Sequence, residues 1–278
     1  MDSPAAMSVL SDSMLSYIAK GASAELFDLG DNRVLKLFRD SVSEDMIERE
    51  VTASIHAGIC DVPTAAAMAR QDLNGRRGIV YPKLEGVTVM DWIRQNPMRA
   101  GWVLDQMGAI HGAMHRANGG ALRSLKQVLE TDIAYGPAPI ELQRAAIAYL
   151  DTLPDDEMLT HGDFHLGNVM MTSQGMMVID WSKAAMGHPA ADVVRSEMLM
   201  RFGIGPADWV TNLWRDWAAR RLRTAYIASS PGMTVRDIDH WRPVVALAWL
   251  RARDAGRSRA FARYLATALA RAGLPAVD

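Results

Sequence analysis

Asp163, Asn168 and Asp180 lie in the stretch HGDFHLGNVMMTSQGMMVIDW, residues 161–181, and together they offer two carboxylates and an amide at the edges of two apolar runs. NVMM and MMVID read as short strands around the turn TSQG, and a hairpin of that kind brings Asn168 and Asp180 to neighbouring positions at one end. A converging amide oxygen and carboxylate suit Mg²⁺, which takes hard oxygen ligands and keeps its other positions for water and phosphate. Asp163, in the preceding loop, falls beside such a metal without ligating it. There a carboxylate can orient a hydroxyl and accept its proton. The combination predicts phosphoryl transfer.

The elements around this stretch divide into a strand-rich front and a helical back. SYIAK, ELFDL and RVLKLF, separated by GASA and the turn GDN, read as an antiparallel meander over residues 15–38. SVSEDMIEREVTASIHAG then predicts a helix closing on Gly58, with Met46, Ile47, Val51 and Ile55 as its apolar positions. GIVYPKLEG, residues 78–86, reads as a strand leading into a tight connection. From residue 99 the pattern is mostly helical apart from residues 158–181, which places the boundary near residue 85. Met170, Met171, Met176, Met177 and Trp181 are expected to pack in the core.

With 278 residues, 49% of them hydrophobic, the chain can bury a sizeable core. Its one cysteine, Cys60, excludes an intrachain disulfide. The start MDSPAAMSVLSDSML has neither the basic region nor the apolar run of a leader peptide, and no stretch has the roughly 18 apolar residues of a membrane span. A cytoplasmic protein, monomeric or homodimeric, is expected. The formal net charge of −2 is uneven: residues 201–278 hold thirteen Arg and six Asp without Lys or Glu, a balance of +7 that leaves −9 elsewhere. Solvated helix faces account for such arginines, and no nucleic-acid-binding motif accompanies them.

HGDFHLGN followed by VIDW resembles the aminoglycoside phosphotransferase and choline kinase family, whose fold is similar to that of protein kinases. The resemblance covers most of the chain. It implies a bilobal α+β fold, with residues 1–85 as a small antiparallel-sheet lobe that binds nucleotide and residues 86–278 as a larger, mainly helical lobe for catalysis and the acceptor. It further implies Asp163 as the catalytic base, Asn168 and Asp180 as Mg²⁺ ligands, and Lys36 with Glu50 as the phosphate clamp. Asp192 is implied as a buried brace under the catalytic loop. His161 resembles a residue packed beneath that loop, and His165 one that stabilises it by a hydrogen bond. KGASAELF has a single glycine, so the phosphate loop relies on Gly21, Ser23 and backbone N–H groups. Lys183 is expected to be solvated.

Alignment of GIVYPKLEG with the family's lobe connection puts Tyr81 behind the nucleotide base, with the Pro82 carbonyl and the Leu84 N–H facing its edge. Adenine fits that pattern. ATP is the expected donor, with GTP as a second substrate. The acceptor is a small-molecule hydroxyl, on an antibiotic or on a metabolite such as an amino alcohol or sugar. The +7 region argues against polycationic aminoglycosides unless Asp192, Glu197, Asp237 and Asp239 cluster. A nucleotide-binding pseudokinase lacking turnover is one rival. A metallophosphoesterase is another, but it needs a histidine directly after the asparagine, where this chain has Val169. The eleven residues between Asp180 and Asp192 are too few for an ordinary activation loop, and no peptide-docking segment of a protein kinase is recognisable there.

Overall fold

The protein is described by a computed structural model over residues 15–205, 208–251 and 258–277. Most of the start of the chain, where no leader is expected, lies outside these residues.

The fold is bilobal and α+β. Strands β1 (Ser16–Lys20), β2 (Ala24–Gly30), β3 (Arg33–Phe38), β4 (Ala69–Arg70) and β5 (Gly78–Pro82) form an antiparallel sheet in the order β1-β2-β3-β5-β4. Helix α1 (Glu44–Ile59) packs on one face of it. Alternation in RVLKLF assigns the faces: Leu35 and Leu37 enter a cluster with Leu73 and Val80, whereas Phe38 joins Ile47, Ile79 and Tyr81 on the α1 side. Lys36 therefore points toward α1.

Ser43 caps α1 by accepting the Met46 N–H at 3.3 Å, a contact worth about 1 kcal/mol. The helix continues to Ile59, past the expected stop at Gly58, because Cys60 supplies the cap. Its buried face is Ile47, Glu50, Ala53, Ser54 and Ala57. Met46 and Ile55 are exposed, so the apolar stripe read from the sequence is rotated relative to the true contact face. A carboxylate and a hydroxyl lie where hydrophobic residues were expected.

Beyond β5, strand β6 (Gly86–Thr88) joins β8 (Val169–Thr172) and β9 (Gly175–Val178) in a small sheet, and β7 (Met158–Thr160) pairs with β10 (Ala185–Gly187). The helices are α2 (Val89–Gln95), α3 (Ala100–Met114), α4 (Leu125–Ala134), α5 (Ile140–Thr152), α6 (Pro189–Phe202), α7 (Trp209–Ser229), α8 (Val235–Trp249) and α9 (Arg259–Ala272). One large cluster lies among α4, α5, α6, α8 and α9. A second, built on α3 and α7, takes in Phe164, Leu166, Val169, Met176, Val178 and Trp181 from the motif region. The two central helices approach so closely that a Cβ at Gly108 would stand 2.5 Å from Ala225 Cβ. Met176 and Trp181 are core residues as expected, while Met170, Met171 and Met177 remain half-buried. No helix among the described residues is long and apolar enough to cross a membrane.

Candidate active site

The β8–β9 hairpin pairs Val169 with Val178, which leaves Asn168 and Asp180 just outside its open end. Ile179 donates its N–H to the Asn168 carbonyl at 2.9 Å and holds the two ends together. Asn168 Nδ2 donates to the Asp163 carbonyl at 3.0 Å and faces Asp163 Oδ2 at 3.4 Å. That orientation turns the amide oxygen away from Asp163. Asp180 has φ 64, a left-handed conformation costing an aspartate of order 1 kcal/mol, and so its carboxylate is aimed by a strained backbone.

A chain of contacts links this carboxylate to the front sheet. Lys36 Nζ lies 3.2 Å from Asp180 Oδ1 and 2.6 Å from Glu50 Oε1, and the Tyr81 hydroxyl donates to Glu50 Oε1 at 2.8 Å. Burial works against the Lys36 charge, but Asp180 and Glu50 outweigh it and hold its pKa above the ordinary value. Burial likewise opposes ionisation of Asp180, and Lys36 with the Ser182 hydroxyl reverses the balance, so its pKa is lowered. Residues from β3, α1, β5 and the end of β9 thus converge although the sequence separates them widely.

His161 ties the two arms of the motif. Its Nδ1 accepts the Asp163 N–H at 3.1 Å, so its Nε2 carries the proton and donates to the Ile179 carbonyl at 3.1 Å. Burial lowers its pKa, which keeps that neutral tautomer. His165 Nδ1 accepts the Gly167 N–H at 3.0 Å, the loop contact expected of it. Asp192, on α6, takes the His161 and Gly162 N–H groups at 2.8 Å each. Its Oδ2 also lies 3.1 Å from His111 Nε2 and from His115 Nε2. Burial would raise the Asp192 pKa, but the two histidines hold it well below the usual carboxylate range.

Three features were not legible in the sequence. Lys183 is not simply solvated: its ammonium lies 3.1 Å from Asp163 Oδ1, with 47% of its side chain exposed. Gly162, at φ 73, allows the contact, since a Cβ there would run into the Lys183 carbonyl. Thr64 accepts the Trp181 indole N–H at 2.8 Å and donates to the Val178 carbonyl at 2.7 Å, pinning the segment after α1 to the hairpin. Arg195, on α6, donates its Nε to the Gly162 carbonyl. Only the Asp180-x-x-Lys183 spacing offered any signal for these.

The positions expected to face the nucleotide are less tightly gathered. Tyr81 is buried with its hydroxyl on Glu50, and the Leu84 N–H has no partner among the described residues. Pro82 pairs with Arg33 at the end of β5. In the β1–β2 turn the Gly21 N–H is committed to the Ala24 carbonyl at 2.8 Å, while Ser23 is half-buried and passes its carbonyl to the Arg39 N–H. Gly21 therefore does not offer a free N–H to a phosphate.

The four acids Asp192, Glu197, Asp237 and Asp239 do not all gather at one place, although Glu197 and Asp239 meet at Arg242. Asp192 lies under the loop, Asp237 caps α8 through Thr234, and Glu197 and Asp239 are both held by Arg242 at 2.8 Å and 2.6 Å.

A lysine–glutamate pair in a small sheet lobe, facing an aspartate–asparagine loop and a second aspartate in a helical lobe, is the arrangement of a kinase-like phosphotransferase. The phosphotransferase enzyme family matches residues 15–237, and the chain belongs to that family. Among solved structures, a thermostable mutant of aminoglycoside phosphotransferase APH(4)-Ia, in a complex with ADP and hygromycin B, superposes with a TM-score of 0.61 at 16% identity, covering 94% of this chain and 92% of that one. Macrolide 2'-phosphotransferase type I gives 0.54 at 20% identity, with 95% and 91% covered. A choline/ethanolamine kinase family protein from Mesorhizobium loti gives 0.53 at 14%, with 93% and 86% covered. A search of curated proteins found no match.

Proposed function

We propose that this protein transfers the γ-phosphate of ATP, with GTP as a second donor, to a hydroxyl of a small molecule in the cytoplasm, where magnesium nucleotide is abundant. Residues 1–85 form the nucleotide lobe and residues 86–278 the catalytic and acceptor lobe. The observation that carries the reading is the unbroken set of contacts Tyr81–Glu50–Lys36–Asp180 ending beside the Asp163–Asn168 pair.

Asp163 accepts the acceptor's proton and aligns its oxygen for in-line attack. Lys36, oriented by Glu50, holds the α- and β-phosphates. The Pro82 carbonyl and Leu84 N–H receive the base in front of Tyr81, and the turn holding Gly21 and Ser23 covers the phosphates. Lys183, already on Asp163, neutralises charge where acceptor and phosphate meet.

A divalent cation fits the donor set. Asp180 supplies a carboxylate, and Asn168 supplies an amide oxygen freed because its nitrogen is bound to Asp163. When bound, Mg²⁺ offsets the phosphate charge; Asp180 and Asn168 are the residues that would hold it.

Metal-dependent ADP release in the presence of an acceptor, lost in Asp163→Asn, tests the reading. Nucleotide binding without any turnover in the parent would mark a pseudokinase instead.

A further inference from the structure

Two arginines flank the Asp163–Lys183 pair, and neither serves a role described above. Arg195 Nε is bonded to the carbonyl of Gly162, the residue before Asp163. Arg123 Nε is bonded at 3.4 Å to the carbonyl of Ala184, the residue after Lys183. The Gly162 and Lys183 backbones are packed against each other, so both guanidinium groups are anchored at the edge of one small surface. Arg123 is fixed further by its own carbonyl, which accepts the Met186 N–H at 2.9 Å.

Each arginine spends only its Nε on this anchoring. Among the described residues, the terminal nitrogens of Arg123 and Arg195 have no hydrogen-bond or ion-pair partner. Both side chains are half-buried, and the Arg195 guanidinium lies over the Trp249 ring at 5.4 Å, which fixes its plane. The nearby acids are already taken: Asp163 by Lys183 at 3.1 Å, Asp132 by Arg251 at 2.6 Å, and Asp45 by Arg49 at 3.0 Å. Burial, and then the neighbouring Arg49, draw the Arg123 pKa below its ordinary value; Asp132 and Asp45 act against them, and Arg195 acts with them. The surplus positive charge is thus local and only partly solvated. A planar guanidinium with two free N–H edges pairs bidentately with carboxylate or phosphate.

We propose that Arg123 and Arg195 form a cradle for an anionic group on the acceptor, so that the molecule phosphorylated here is a hydroxyl compound carrying a carboxylate or phosphate. This rests on the phosphotransferase reading of the Asp163 site and narrows its substrate class. A cationic acceptor would meet Lys183 on the reacting carboxylate and Arg123 and Arg195 on the backbone beside it, where like charge repels it.

The test uses the full chain loaded with Mg·AMP-PNP and follows the fluorescence of Trp249, isolated as the difference between the parent and Trp249→Phe. The probes are gluconate, a hexose phosphate, glucose and glucosamine. A saturable response to gluconate or the hexose phosphate, weakened at least tenfold in Arg123→Gln at an unchanged Tm, supports the cradle; the tighter of the two identifies the anion. Tighter saturation by glucose or glucosamine, no response to either anion, or an unchanged Arg123→Gln titration would overturn it. Loss of Mg·AMP-PNP affinity in Arg123→Gln equal to the loss for the anion would assign the guanidinium groups to the donor phosphates and also overturn it. Failure of the phosphotransferase reading shows separately: the parent then neither binds Mg·AMP-PNP nor releases ADP from ATP, and any anion bound is not an acceptor.

Discussion

Lys183 Nζ lies 3.1 Å from Asp163 Oδ1, so the proposed base is paired with a cation from the segment that follows Asp180. The lysine is half in solvent, so the pair adds little to stability. In the proposed reaction it places positive charge where the phosphate arrives. Lys183→Met is expected to lower kcat roughly 10- to 100-fold, with Tm changed little; the figure lies below that for a fully buried transition-state donor. Steady-state kinetics beside a melting curve checks this, and an unchanged kcat would return Lys183 to the solvated surface.

Asp163→Asn is expected to reduce turnover by roughly 10²- to 10⁴-fold, the scale of a positioned general base, while nucleotide binding persists. The asparagine keeps the side-chain shape but loses the charge, so it gives up the proton acceptor together with the ion pair to Lys183. Turnover within a few-fold of the parent would show that the base lies elsewhere.

Asp180→Ala should weaken Mg²⁺-nucleotide binding at least about tenfold more than Asn168→Ala, because it removes a charged ligand and also frees Lys36 from one of its two carboxylates. Titration of Mg²⁺ against both variants measures the difference. Equal, normal metal dependence would refute the assignment.

In the proposed nucleotide site Tyr81 fills the slot behind the base, while its hydroxyl donates to buried Glu50, and two substitutions separate these roles. Tyr81→Phe keeps the ring and leaves Glu50 short of a donor, at about 1–2 kcal/mol of stability, with the ATP-to-GTP preference held. Tyr81→Ala opens the slot as well and should shift the ratio of kcat/KM for ATP over GTP. An unchanged ratio in Tyr81→Ala would mean that this side chain does not control access to the base.

His111 gives the fold a pH dependence. Burial, followed by the neighbouring His115, brings its pKa down to about 4 from 6.5. Its contribution is full above pH 6.5 and is lost as pH falls toward 4, since the unfolded chain takes up a proton that the folded core refuses. The loss amounts to about 3 kcal/mol over that window. Chemical denaturation at pH 7.5 and pH 5 should show the decline, and His111→Gln, which retains an N–H for Asp192, should flatten it. A parent no less stable at pH 5 would contradict the neutral buried histidine.

Features that depend on neighbours along the chain are legible in the residues alone. HGDFHLGN and VIDW are contiguous, so the order of Asp163, Asn168 and Asp180 and the hairpin that joins them follow from spacing and turn residues. The strict alternation of RVLKLF set Lys36 on the face opposite Leu35 and Leu37. Which groups meet across elements is settled by packing. The buried face of α1 is chosen by what the sheet presents to it, and that places Glu50 rather than Met46 or Ile55 inside. The meeting of Tyr81 with Glu50, of Lys183 with Asp163, and of His111 and His115 with Asp192 depends on how strands and helices pack. So do the terminal nitrogens of Arg123 and Arg195, which have no partner among the described residues: an arginine in a sequence carries the same charge whether or not a carboxylate stands opposite, and packing settles which.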